Sequence, residues 1–396
     1  MIINNIFGDK LRTFNNYKSL TENTFYKRYP ESSLEKLNKR EFTHIMKSIS
    51  EQLLLSLDET IINSASNFFN IPVSEMVPKL HSFLNDEIDV KEIISEQNQY
   101  IIFATNEEDK RKEYNIEDIK NSLFTELYKI NPFNDKEIFK FAKYFGLPSE
   151  TTARQTNIFE LKEKPKTDTE VLTFKRCYKI SVIRDIVQFK NAFDFWITLK
   201  YKDEEFILNL AKKYRNYLNL EENEIIDLPN FSETDIYFES LIKKELFEYA
   251  LIEDPTLDHL DQILYAEDPY LNESLTNLVG MVQDRIETNV EEIINELNNY
   301  FLSFINNYLF KYTTSIIYRE NTGQYNIKFL YPDLYAAAYK KLSEAIVEDS
   351  YMKVCKNCGF YFEETHGKQT FCPPLPGVKR SSCEIAFYKK QKNKEN

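Results

Sequence analysis

Seven glycines in 396 residues, at positions 8, 146, 280, 323, 359, 367 and 377, set the first limit on this fold. Tight turns draw on glycine for backbone conformations with positive φ, and a β-rich fold needs many such turns. Apolar residues recur instead at three- and four-residue spacing, the pattern of helices that bury one face. The same scarcity removes whole classes of chemistry. No Walker phosphate loop, dinucleotide fingerprint or Gly-x-Ser-x-Gly elbow can be drawn through glycines so placed. The sequence therefore predicts a mainly α fold, a multi-helix body with a few short strands, and no nucleotide cofactor.

Local punctuation places several elements. Ser32-Ser-Leu-Glu35 is a capping-box signal for a helix running towards Leu55. Asn134 is placed to cap a helix through Phe145 that stops at Gly146, with Pro148 behind it. Residues 180–217 read as one long or broken helix carrying the only tryptophan, Trp196. Ser232-Glu-Thr-Asp235 opens another, and Glu273 to Tyr312 is helical in pattern. Strands are expected at Tyr100–Ala104 and in a hairpin formed by Ser315–Tyr318 and Tyr325–Tyr331. Residues 149–170, polar and lysine-rich, read as a linker or exposed loop. That divides the chain into an N-terminal helical region (1–148), a central helical region with the hairpin (171–349) and a terminal module (350–396).

Four of the five cysteines lie in that module, as Cys355-Lys-Asn-Cys358, then Cys372, then Cys383. A Cys-x-x-Cys turn supplies two thiolates from one tight loop, and four thiolates complete a tetrahedral shell for one Zn²⁺. The expected ion is structural, since a closed Cys₄ shell leaves no position for water or substrate. Gly359 follows the second cysteine, where backbone N–H groups turn towards sulfur. Phe360-Tyr361-Phe362 alternates as a short strand, and Ser381 or Ser382 can cap a helix beginning near Cys383. Phe360, Phe362, Phe371, Ile385 and Phe387 are the expected miniature core. His366 reads as an exposed loop residue outside the completed shell.

Cys355-x-x-Cys358-Gly359-x-x-Phe362, then Phe371-Cys372 and a terminal cysteine, helix and basic tail, resemble the CGNR-type zinc finger of bacterial proteins. Ile138–Leu147 is similar to the "F…YG-L" segment of larger, prophage-associated members, and Pro332–Leu342 to the helix that leads into their finger. The Gly-Asn-Arg tripeptide is absent, because Glu384-Ile385-Ala386 follows Cys383, and ten residues separate the last two cysteines. The resemblance implies a metal site, a bacterial regulator or phage-conflict protein, and contact with nucleic acid.

Charge sharpens the choice of partner. The chain carries 50 basic and 63 acidic residues, a net of −13. From Tyr351 onward nine Lys or Arg face four Glu, so a module of +5 sits on a body of −18. Lys379, Arg380, Lys389 and Lys390 are the candidate phosphate contacts, to DNA or RNA. The alternative is a protein–protein scaffold in which the finger is purely structural. No apolar run reaches the length of a membrane span, so no membrane partner is expected. One lone cysteine outside the cluster fits a reducing, cytoplasmic compartment. No catalytic constellation stands out, and the expectation is non-enzymatic. His44, in Arg40-Glu-Phe-Thr-His44, reads as a surface helix histidine and Cys177 as a buried small residue. Asp258 and Asp261 share one helical face and, with His259, could bind a hard cation or serve acid–base chemistry, but in so acidic a chain the cluster reads as solvated and helix-capping.

Overall fold

The structure, a computed structural model, describes residues 10–28, 39–84, 100–104, 110–115, 119, 122–148, 176–201, 206–207, 210–211, 290–309, 313–319, 324–331 and 333–395. The described residues are mainly helical, with ten helices and nine short strands. The strands form four small antiparallel sheets, none wider than three strands. The chain divides into two compact units, Met1–Phe193 with Tyr308–Asn396, and Asp194–Asn307.

In the first unit β1 (Lys10–Phe14) leads into β2 (Tyr17–Thr21) and α1 (Glu22–Arg28). Helices α2 (Lys39–Leu55), α3 (Glu59–Phe69) and α4 (Val73–Leu84) follow. β3 (Tyr100–Ala104) lies between β2 and β5 (Arg176–Tyr178), and β4 (Lys110–Asn115) pairs with β1. Phe25, Phe42, Ile49, Leu53, Phe69, Met76, Phe83 and Phe103 are buried together, joined by Ile183 and Val187 from α7 (Lys179–Tyr201). Asp58 caps α3 by accepting from the Thr60 N–H at 2.9 Å.

α7 is buried on nearly all sides: Val182, Ile186, Phe189 and Phe193 line one face, and Ile180, Val187 and Asn191 the opposite one. Such a helix runs through a core rather than over it. Its Phe189 ring meets Tyr335 and Tyr339 of α9 (Leu334–Val347), and Phe193 meets Phe124 of α5 (Ser122–Tyr128). α6 (Asp135–Phe145) has the ends its sequence encodes. The Asn134 side chain accepts from the Lys136 N–H at 3.1 Å, and Gly146 closes the helix at φ 94°. The next turn reaches across to α9, where the Tyr335 N–H donates to the Pro148 carbonyl at 3.0 Å. The turn after α6 and the first turn of α9 thus touch at this hydrogen bond.

In the second unit, Phe195 packs against Phe301 of α8 (Val290–Leu309) with ring centroids 5.6 Å apart. Trp196 is buried there and Lys200 lies over its ring. α8 runs unbroken through Asn298 and Asn299, and the Asn298 side-chain amide donates to the Ile294 carbonyl at 2.9 Å. Back in the first unit, β6 (Thr313–Arg319) and β7 (Gln324–Leu330) pair as the expected hairpin. The helix from Ser232, the proposed linker at 149–170 and the Asp258–His259–Asp261 cluster lie outside the described residues. Among the described residues no helix is long and apolar enough to cross a membrane.

Candidate metal centre

Two short strands frame the first pair of cysteines. β8 (Met352–Val354) and β9 (Tyr361–Glu363) pair antiparallel, with Val354 opposite Tyr361, and the Cys355–Phe360 turn closes between them. Cys355 donates its N–H to the Phe360 carbonyl at 2.9 Å, and Gly359 donates to the Cys355 carbonyl at 3.0 Å. Gly359 adopts φ 76°, and a Cβ there would meet no atom within 4 Å. Its requirement is conformational rather than steric.

The third cysteine arrives on a return segment held by one side chain. Gln369 is buried; its carbonyl accepts from the Thr365 N–H at 3.0 Å, and its amide donates to the Phe371 carbonyl at 3.1 Å. The Lys356 N–H donates to Thr370 at 3.1 Å and ties the knuckle to this segment. The fourth cysteine sits in the first turn of α10 (Ser382–Glu395), where the Ser381 hydroxyl accepts from the Glu384 N–H at 3.3 Å.

These pieces bring the sulfurs of Cys355, Cys358, Cys372 and Cys383 within 4.8 Å of one another. Cys358 and Cys372 are 3.6 Å apart and all four thiols are free. A disulfide requires about 2.05 Å. Cys355 and Cys372 are buried, Cys358 and Cys383 half-buried. Four sulfurs this close cannot all be anionic without a cation among them. Hydrogen bonds from Cys358 and Cys372 hold the Cys383 thiol far below its usual value, against the opposing effect of burial. Hydrogen bonds to Cys358 and Cys383, with burial, drive Cys372 far above it. For Cys358 the bond to Cys372 lowers the value, yet the bond to Cys383 and burial prevail and push it up to about 11. The cluster is positioned to hold a metal ion.

The sulfurs have supporting donors. The Phe360 N–H favours the thiolate of Cys358, and the Asn357 side chain that of Cys383. A third donor comes from the body. Lys129, just beyond α5, places Nζ 3.1 Å from Cys372 Sγ and 2.5 Å from Glu126 Oε1. Burial lowers the Lys129 pKa, but Glu126 and Cys372 outweigh it and the ammonium is held charged.

The module is also packed onto that body. The Phe360 ring meets Tyr128 edge-on at 5.8 Å, and Tyr361 approaches Phe193 at 6.4 Å. Lys190, buried in α7, donates to the Tyr128 carbonyl at 2.6 Å and lies over the Tyr128 and Phe360 rings. This corrects part of the expected miniature core. Phe362 is fully buried, and the Phe371 ring meets Phe387 at 5.2 Å with the planes tilted by 53°. Phe360, however, faces the body, and Ile385 is 49% exposed. A module this small buries too little apolar surface to keep every aromatic for itself.

Lys379, Arg380, Lys389 and Lys390 are all exposed; Arg380 stands 3.5 Å from Glu384. His366 and His44 are exposed, and Cys177 is buried on β5 opposite Ile102. Sequence reasoning missed Lys129. Nothing local marks it, since its partner Cys372 is 243 residues away.

Comparison of the chain with protein-family models, with curated proteins and with solved structures gives no match.

Proposed function

We propose that the four cysteines hold one structural Zn²⁺ and that the module so fixed presents a nucleic-acid-binding face, in a cytoplasmic bacterial regulator or phage-conflict protein related to CGNR-type fingers. Zinc fits the donors. Zn–S bonds of about 2.3 Å at tetrahedral angles set sulfurs about 3.8 Å apart. The 3.6 Å between Cys358 and Cys372 is close to that edge. Four thiolates leave no coordination site for substrate, so the ion sets geometry rather than performing chemistry.

The observation that carries the nucleic-acid reading is the exposure of Lys379, Arg380, Lys389 and Lys390 on the segment that Cys383 ties to the centre. Lys392 is exposed beside them, and the exposed Tyr388 offers a ring for base contact. A net charge of −18 on residues 1–350 confines polyanion binding to this module. The second reading, a protein scaffold, is favoured by the packing of Phe360 and Tyr361 on Tyr128 and Phe193.

Salt separates the two. Four phosphate contacts predict an affinity loss of about 100-fold between about 50 and 200 mM salt. Binding of DNA and RNA oligonucleotides is measured with metal content on one preparation, wild type beside Lys379→Glu/Arg380→Glu and Lys389→Glu/Lys390→Glu. One zinc per chain, with salt-sensitive binding lost in both pairs, supports the regulator. One zinc with no binding at low salt favours the scaffold, and absence of zinc overturns the proposal.

A further inference from the structure

We propose that Lys129 is a built-in counter-cation of the metal centre, so that the helical body contributes to the site and metal occupancy is coupled to the packing of α5. The inference rests on the metal reading of the four cysteines and is independent of what the basic face binds.

Lys129 is 13% exposed and Glu126 19%, so the ammonium has left most of its water. A buried ammonium needs partners, and Glu126 at 2.5 Å supplies one. The second is not an oxygen but the sulfur of Cys372, at 3.1 Å. Glu126 and Lys129 lie one helical turn apart, so the carboxylate both charge-balances the ammonium and aims it at Cys372. A centre of four thiolates around Zn²⁺ carries a formal charge of −2. An N–H donor and positive charge against one sulfur offset part of that excess. Against a neutral thiol the same contact is weaker, and this difference between loaded and unloaded states is the coupling.

The anchor is more than one contact. Tyr128, the residue before Lys129, carries the ring that meets Phe360 in the knuckle. Its carbonyl, at the C-terminal end of α5, accepts from buried Lys190. Lys190 in turn lies 3.6 Å from Asp58. The end of α5 is thus held from the α7 side by Lys190 and from the metal side by Lys129. Hydrogen bonding also lowers the electron-donating power and the nucleophilicity of a thiolate. Lys129 therefore protects Cys372 as well as positioning it.

The test uses the full chain loaded with Zn²⁺ or Co²⁺, with Lys129→Met and Lys129→Arg beside wild type. Met keeps the length and apolar stem and removes the donors; Arg keeps charge and donors. Removing a group that supports a metal ligand weakens metal binding by about 10- to 100-fold. We expect Lys129→Met to transfer metal to a chelator about 10-fold faster or more, and its sulfur-to-cobalt absorption band to move to lower energy. Lys129→Arg stays near wild type in both. A merely structural lysine would alter the melting temperature and leave the band in place. Unchanged release and an unchanged band in Lys129→Met overturn the inference, while a wild-type chain that binds neither ion overturns the metal reading itself. Should Lys129→Met not fold, Lys129→Gln against Lys129→Arg carries the same test: fast release and a shifted band in Gln alone support it, and equal behaviour sinks it.

Discussion

At the scale of single residues, Glu363 is the side chain least suited to its surroundings. It is buried on β9, one carboxylate oxygen accepts from the Ser350 hydroxyl at 2.6 Å, and the other has no partner among the described residues. Burial raises its pKa above 4.5; the Ser350 bond opposes this, Glu348 and Glu344 add to it, and Lys341 offsets part. The sign follows from linkage. The folded chain holds this proton more tightly than the unfolded one, so the contribution is full below 4.5 and is lost as pH rises through the raised value. At neutral pH an ionised Glu363 therefore destabilises the module. Glu363→Gln keeps an acceptor for Ser350 and removes the buried charge that Glu348 and Glu344 oppose, so it should stabilise by about 1 kcal/mol at pH near 7, the low end of the desolvation penalty of a buried group. Denaturant midpoints at about pH 7 and about pH 5.5, with metal content followed at each, check this. The advantage should shrink at the lower pH, and a difference equal at both would remove the argument. The cysteines were legible from spacing alone as a cluster positioned to hold a metal ion, because each thiol's chemistry is carried by its own side chain. Glu363 and Lys129 were not, because their meaning lies in what they face.

At the scale of elements, legibility followed the range of the signal. α6 has both ends written into it, since Asn134 caps one and Gly146 closes the other. β3 and the β6–β7 hairpin were readable from runs of β-branched and aromatic residues. β1 was not. Its partner β4 lies about a hundred residues away, with Lys10 opposite Asn115, and Lys110-Arg-Lys-Glu-Tyr-Asn115 holds little apolar alternation. Pairing, rather than propensity, makes those strands. The same holds for the seating of the metal module, where Phe360 was expected to turn inwards and instead meets Tyr128. That contact is open to a double-mutant cycle on Tyr128→Leu and Phe360→Leu. An edge-on ring pair contributes about 0.5–1.5 kcal/mol beyond area, and the cycle should return a coupling of that order. Additive losses would mean that the two rings are neighbours without being an anchor.

At the scale of the molecule, two apolar clusters among the described residues of the first unit differ in their dependence on metal. The larger, built from α1 to α4 with β3 and the start of α7, contains no residue of the terminal module. The smaller consists of Cys355, Phe362 and Cys372 with Cys358, Phe371 and Cys383 around them. A core whose buried groups are mostly metal ligands has little to hold it once the metal leaves. α5 stands between these extremes, because Tyr128 and Lys129 touch the module while Leu123, Phe124 and Leu127 are buried in the body. Removing the metal with a chelator should therefore raise amide hydrogen exchange in β8, β9 and the first turn of α10, and to a smaller extent at the end of α5. The amides of α2, α3 and α4 should keep their protection. Exchange that rises only within 350–395 would make the module an independent cap and break the link through Lys129. Exchange that rises throughout α2 to α4 would make the metal a condition of the whole fold, a role that the separation of the two cores argues against.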